Sequence, residues 1–383
     1  MLPPIRLVGA DLLRGGEIRQ RSVAIAQGRI TKGPLPAADF SGHLILPGII
    51  DLFAEYRPGP DPATGIAKAG LAAARAGITT QWLAQGYSWE GGARSPLAAR
   101  GFLEALANAP SGRCDIRAKI VADTHLVEDD GALIDLLREY RVGAVSFANM
   151  AARVIEMARN HPAELRARAQ ATATTPEALA QAAACAAGRA RDVPRHLCRL
   201  ADAFDMMGVI YASHGDPNAE RREFHSMLGA RIAECPACHG AAAAARAMGN
   251  PVLAAACPPA PGLPSTLDLV AAGLVDALVS GASPAALPAA AFDLVARDML
   301  DLPAAWALIS QKPAEIMELA DRGTLDYGMR ADLVVISKAT LRVEATISAG
   351  RLTHATPGAL ARIGAAAPQK HAASRRKPVI AAQ

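Results

Sequence analysis

Gly42-His43-Leu44-Ile45-Leu46-Pro47-Gly48-Ile49-Ile50-Asp51-Leu52-Phe53-Ala54-Glu55 is the stretch that decides the fold. An apolar run of strand length meets a Pro-Gly break, resumes, and ends on an acid, an aromatic and a second acid. A run this apolar suits a strand covered on both faces, as in a parallel sheet or barrel. Polar residues at the C-terminal end of such a strand stand where barrels of this kind build their sites.

Upstream, the first 46 residues read as short strands and turns. Ile5-Arg6-Leu7-Val8 alternates, Gly15-Gly16 breaks, and Ser22–Ala26 is followed by a turn at Gln27-Gly28. The same texture returns at Gly323–Ile336 and Val343–Gly350, so residues 1–46 and 322–355 are expected to pair into one small β domain.

Between them, strand-length apolar runs alternate with helical patterns. The expected strands are Leu46–Leu52, Thr79–Leu83, Ile116–Ala122, Ala144–Ala148, Met207–Ala212, Arg231–Ala233, Pro251–Ala256 and Ala277–Ser280. Eight strands separated by helices predict an α/β fold, a parallel (β/α)8 barrel over residues 47–321. The Ala-rich stretch Arg153–Arg191 reads as helices inserted over the barrel mouth.

The net charge of +4 is carried by the end of the chain. Residues 356–383 hold Arg362, Lys370, Arg375, Arg376 and Lys377 and no acid, so the rest is close to neutral. That excludes a nucleic-acid-binding body and predicts a disordered basic tail from residue 356. No apolar run approaches the roughly 20 residues that span a bilayer, and no basic-then-apolar leader opens the chain. A cytoplasmic protein is expected, with no membrane contact and with self-association left open. The Cys235-Pro236-Ala237-Cys238-His239 pattern matches c-type haem attachment, but with no export signal the six cysteines read as free thiols.

Several motifs together resemble the phosphonate-utilisation branch of the amidohydrolase superfamily, the α-D-ribose 1-methylphosphonate 5-triphosphate diphosphatases. They are Leu46–Asp51, Ala76-Gly77-Ile78-Thr79-Thr80, Ala212-Ser213-His214-Gly215-Asp216, Gly229–Pro236, Gly273–Ser280, Lys312-Pro313-Ala314 and Gly328–Val334. The resemblance implies an amidohydrolase-type barrel and a divalent metal (Mg, Mn or Zn) that assists pyrophosphate release from a small phosphorylated metabolite. It implies a metal at Glu55, His214 and Asp123, with His214 and Asp216 as catalytic residues. Arg57, Arg221, Arg222 and His125 are expected to bind substrate.

The pattern departs from the family at matching places. The first-strand ligand pair falls at Phe53 and Glu55, the Asp-His pair of a later strand at Asn149-Met150, and the late aspartate at Gly281. Phe, Met and Gly side chains offer no hard donor for such a cation. Two readings therefore stand: a divergent hydrolase with a reduced metal site, or a non-catalytic paralogue, without a cofactor, that binds a phosphorylated metabolite or a protein partner. Phe53 is expected to point inward and fill the vacated ligand volume.

Overall fold

The computed structural model describes residues 1–110, 113–257 and 263–366. Its centre is an eight-stranded parallel sheet: β1 (Ile49–Glu55), β2 (Ile78–Tyr87), β3 (Asp115–Asp123), β4 (Ala144–Ala148), β5 (Ile210–His214), β6 (Ile232–Glu234), β7 (Val252–Ala255) and β8 (Ala277–Val279). The strands pair in sequence order. A parallel bridge between Ala54 and Gly281 then joins the two edges and closes the barrel. Two backbone bonds make the seam: Gly281 N–H donates to Phe53 at 2.9 Å and Glu55 N–H to Gly281 at 2.8 Å. Gly281 adopts φ +56° there, a left-handed conformation that glycine takes without strain.

Both chain ends build the small β domain. Leu333–Ser337 lies between Val343–Ser348 and His43–Pro47, and Asp11–Arg14 extends the sheet beyond His43–Pro47. Ile5–Val8 sits in a second, four-stranded sheet with Val23–Ala26, Arg29–Thr31 and Ala37–Asp39. Ile5, Leu7, Ile25, Ile45, Val335 and Ile347 fill the space between.

Three expectations are corrected. Leu46–Leu52 is not one strand: His43–Pro47 belongs to the small domain, and β1 begins at Ile49. Gly48 makes the crossing, where a Cβ would stand 2.4 Å from Thr79 Oγ1. Met207 lies in a helix, Val193–Met207, which Gly208 ends in the left-handed conformation at φ 66°. The tail expected to be disordered from residue 356 starts with a helix, Pro357–Ala366, whose Ala359 and Ile363 pack into the small-domain core. The rest of that tail, residues 367–383, lies outside the described residues, as do 258–262.

After β4 the chain forms helices Met150–Asn160, Pro162–Ala171 and Pro176–Ala187, with their own small core of Val154, Met157, Leu165, Ala169, Leu179 and Ala183. Trp89, in the loop after β2, packs against that core and against the cluster lining the barrel interior. Glu90 of the same loop accepts two bonds from Arg168, one at 2.8 Å. The inserted helices are thus tied to the C-terminal end of the barrel. Among the described residues, no helix is long and apolar enough to cross a membrane.

Candidate functional site

Asp51, fully buried in β1, organises the barrel seam. It accepts from Phe53 N–H (3.2 Å), Gln81 Nε2 (3.1 Å), Ser280 N–H (3.1 Å) and Ser280 Oγ (2.6 Å). Burial raises its pKa, and these bonds oppose the rise. Its lone pairs tie β1 to β2 and to Ser280, just past the end of β8.

Two residues on, Phe53 points inward, as its sequence position suggests. The ring is 7% exposed, sits in the interior cluster with Val121, Ala148, Met150 and Leu253, and stacks on His214 with centroids 4.9 Å apart at 20°. Below it, Lys119 Nζ lies 5.6 Å from the ring centroid, donates to the Leu52 carbonyl at 3.2 Å and contacts Glu234 Oε1 directly. Ser146 Oγ donates to the other Glu234 oxygen at 2.7 Å. His214 Nδ1 is 3.6 Å from that oxygen, too far for a hydrogen bond, and has no partner among the described residues.

Burial sets the charge states here. It pushes the Lys119 ammonium down to about 7. It takes His214 down to about 3, helped by the Arg153, Lys119 and Arg94 charges, so the imidazole is neutral at physiological pH. Arg94 lies along the end of β2, where a Cβ on Gly86 would be 3.1 Å from Arg94 Cγ. Among the described residues it makes no ion pair, whereas its neighbour Arg168 is paired with Glu90. Burial and then the Arg168 charge depress Arg94. Arg153 stands in the first turn of the helix that follows β4 and is exposed.

The residues expected to hold a metal do not converge. Glu55 is turned to solvent, 3.9 Å from Arg57. Asp123 spends both oxygens on backbone, accepting from His125 N–H at 2.7 Å and Met150 N–H at 2.9 Å. Asn149 caps its helix by accepting from Ala152 N–H at 3.0 Å. Among the described residues no three His, Cys, Asp or Glu side chains gather closely enough to ligate an ion. The donor set therefore does not fit a Mg, Mn or Zn site, each of which takes at least three or so protein or substrate donors around one centre.

The other expected site residues are also placed differently. Asp216 does not face the mouth: it accepts from Ser213 Oγ, from His225 Nδ1 at 2.7 Å and from Arg222 Nη1 at 3.4 Å. Arg222 is fully buried in that network and unavailable to substrate. Arg57 is exposed, and Arg221 lies over the Phe224 ring at 5.3 Å. His125 is bonded to Thr124 Oγ1 at 3.0 Å. With Asn149, Ile155, Arg159 and Ala187, His125 lines a cleft of about 410 Å³ beside the ends of β3 and β4. Cys238 accepts from Ala241 N–H at 3.3 Å, so the Cys-x-x-Cys-His pattern is a helix cap.

Asp123 carries a pH signature. Burial, with the Glu90 charge adding, pushes its carboxyl up to about 7 against its two N–H bonds. The folded protein keeps that proton where the unfolded chain, with a pKa of about 3.9, has released it. Its contribution is therefore full below about pH 4 and is lost as pH rises toward 7, with a slope of at most about 1.4 kcal/mol per pH unit. Asp123→Asn is expected to flatten that part of the stability profile, read by thermal midpoints across this window. An unchanged slope would contradict the assignment.

Lys119, Glu234 and Ser146 were not singled out by sequence as site residues. One signal was available: in Ile116-Arg117-Ala118-Lys119-Ile120-Val121-Ala122 the period of two puts Lys119 on the face of Val121.

No protein-family model matches the sequence, and no curated protein matches it. Solved structures do. A β-aspartyl dipeptidase from Fervidobacterium islandicum, in complex with a β-Asp-Leu dipeptide, aligns with TM-score 0.62 and 14% identity over 93% of this chain and 97% of its own. An amidohydrolase aligns with TM-score 0.60 and 13% identity over 92% of this chain and all of its own. An N-acyl-D-glutamate deacylase from Bordetella bronchiseptica, complexed with zinc and a phosphonate inhibitor, aligns with TM-score 0.59 and 15% identity over 93% and 98%. At these identities the likeness establishes the fold: a (β/α)8 barrel of amidohydrolase type with a small β domain.

Proposed function

We propose that this barrel binds a small phosphorylated metabolite at its C-terminal mouth without a resident metal. In this reading the ribosyl-triphosphate chemistry that the motifs resemble persists as recognition, not as metal-assisted hydrolysis. The observation that carries it is Phe53 stacked on His214 above the Lys119–Glu234 pair. An aromatic ring and an internal ammonium together take the volume and the charge that a bound cation would supply. Arg94 and Arg153, both near His214, provide the positive charge an anionic ligand needs.

The test combines metal analysis with ligand binding. The purified protein is expected to hold far less than one equivalent of divalent metal. Its thermal midpoint is expected not to move with chelator or added Mn²⁺. Calorimetry with the ribose triphosphate should show binding, with no pyrophosphate released. Stoichiometric metal, together with pyrophosphate release that disappears in His214→Ala, would instead establish the divergent-hydrolase reading.

A further inference from the structure

Barrel interiors are normally filled with branched aliphatic side chains. A lysine and a glutamate buried there in contact are unfavourable to desolvate, and apolar residues of the same volume often serve stability better. This pair lies where chemistry is done, not at the bottom of the barrel. Glu234 is the last residue of β6 and His214, its neighbour across the ladder, the last of β5. Ser146 and Lys119 reach the same carboxylate from β4 and β3.

The assembled groups have complementary roles. One Glu234 oxygen faces the Lys119 amine; the other faces the Ser146 hydroxyl and, at 3.6 Å, the unpartnered His214 Nδ1. An amine is thus held directly against a carboxylate that can accept its proton and return it. We infer that Lys119 is an imine-forming lysine, whose Nζ condenses with the carbonyl of a small aldehyde or 2-oxo acid bearing an anionic group. This rests only on the proposal that the mouth attracts an anionic metabolite; the compound that reacts is a carbonyl compound, a class apart from the ribosyl triphosphate, which has no free carbonyl.

The step balances within the site. Glu234 takes a proton from the Lys119 ammonium, and the freed lone pair attacks the carbonyl carbon. The C–N bond forms, and one N–H proton of the amine passes to the carbonyl oxygen. Glu234 then returns its proton to that hydroxyl, the nitrogen lone pair forms the C=N bond as the C–O bond breaks, and water leaves, giving the protonated imine with no oxidant or reductant. Burial of Lys119 favours the neutral amine that attack requires. Phe53 covers Nζ and must swing aside for the carbonyl to enter.

Reductive trapping on the full chain tests this. Glyoxylate with cyanoborohydride, followed by digestion and peptide mass mapping, is expected to modify Lys119 ahead of the exposed lysines. Lys119→Arg keeps a cation beside Glu234 but cannot form the imine, and it should lose that adduct while the circular dichroism spectrum is unchanged. Adducts on Lys32, Lys68, Lys312 or Lys338, with Lys119 untouched until denaturant is added, would overturn the inference. The wild-type map decides the matter even if a variant fails to fold. A bound metal, by contrast, would overturn the metal-free reading and leave the adduct result standing.

Discussion

Glu234→Ala is expected to cost about 1–3 kcal/mol of stability at neutral pH, because it leaves the buried Lys119 amine, which then sheds its proton, and the Ser146 hydroxyl without their shared acceptor. Both side chains are nearly inaccessible, at 4% and 0% exposure, so water cannot take the place of the missing carboxylate. The Leu52 carbonyl and the Phe53 ring remain beside the amine and carry no charge, and the ionisable groups acting on it from further off are Cys235 and the buried Asp51. Ser146 Oγ loses its acceptor in the same variant. The double variant Lys119→Met/Glu234→Leu removes both charges and fills the space with apolar atoms. It is expected to recover most of the loss and can exceed the wild type by about 1–4 kcal/mol. Urea denaturation of the three proteins, compared through midpoints at constant slope, checks this. A double variant as unstable as Glu234→Ala would show that packing volume, not charge pairing, sets the cost. Added salt should barely change the gap, since buried pairs are screened far less than surface ones.

The barrel was legible in the sequence because its strands are short apolar runs at regular spacing, bounded by helices with clear caps. What the pattern could not convey was which sheet an apolar run joins. Leu46 and Ile50 are alike in character, yet they serve different sheets, and the change depends on Gly48 meeting Thr79 thirty-one residues later in the chain. The helix at Pro357–Ala366 was hidden by the basic, Ala-rich composition around it, although Ala359 and Ile363 stand at the i, i+4 spacing of a docking face. For the site, motif position led to Phe53 pointing inward, as the structure has it, stacked on His214, which the motif had marked as a metal ligand and catalytic residue. It placed Glu55, Asp123 and Asp216 by analogy, and their orientation depends on local hydrogen bonds that no spacing encodes. Asp123 turned to two backbone N–H groups and Glu55 to solvent. A lysine within a strand ordinarily marks a solvent face, so Lys119 gained meaning only once the barrel closed around it.

Arg222→Ala is expected to be the most damaging change outside the barrel interior, at about 3–5 kcal/mol. The guanidinium is fully buried and acts as a hub between β5 and the chain leading into β6. It donates to Ser213 Oγ and to the Ala230 carbonyl, to the Ile232 carbonyl at 3.1 Å, to Asn250 Oδ1 at 3.3 Å and to Asp216 at 3.4 Å. Burial would raise the Asp216 carboxyl, but bonds from His225 and Ser213 and the Arg222 charge hold it below its usual value, so Asp216 is an anion in the folded state. Removing the guanidinium leaves that anion one cation short and leaves buried carbonyls without donors. Arg222→Lys restores a charge but not the planar fork, so it should recover only part of the loss. A substrate-binding arginine would behave oppositely: Arg222→Ala would keep its thermal midpoint and lose ligand affinity. Thermal denaturation alongside titration with the ribose triphosphate separates the two. Because His214 leaves β5 one residue after Ser213, the same variant should also loosen the Phe53–His214 stack, seen as lost protection of β5 amides in hydrogen exchange.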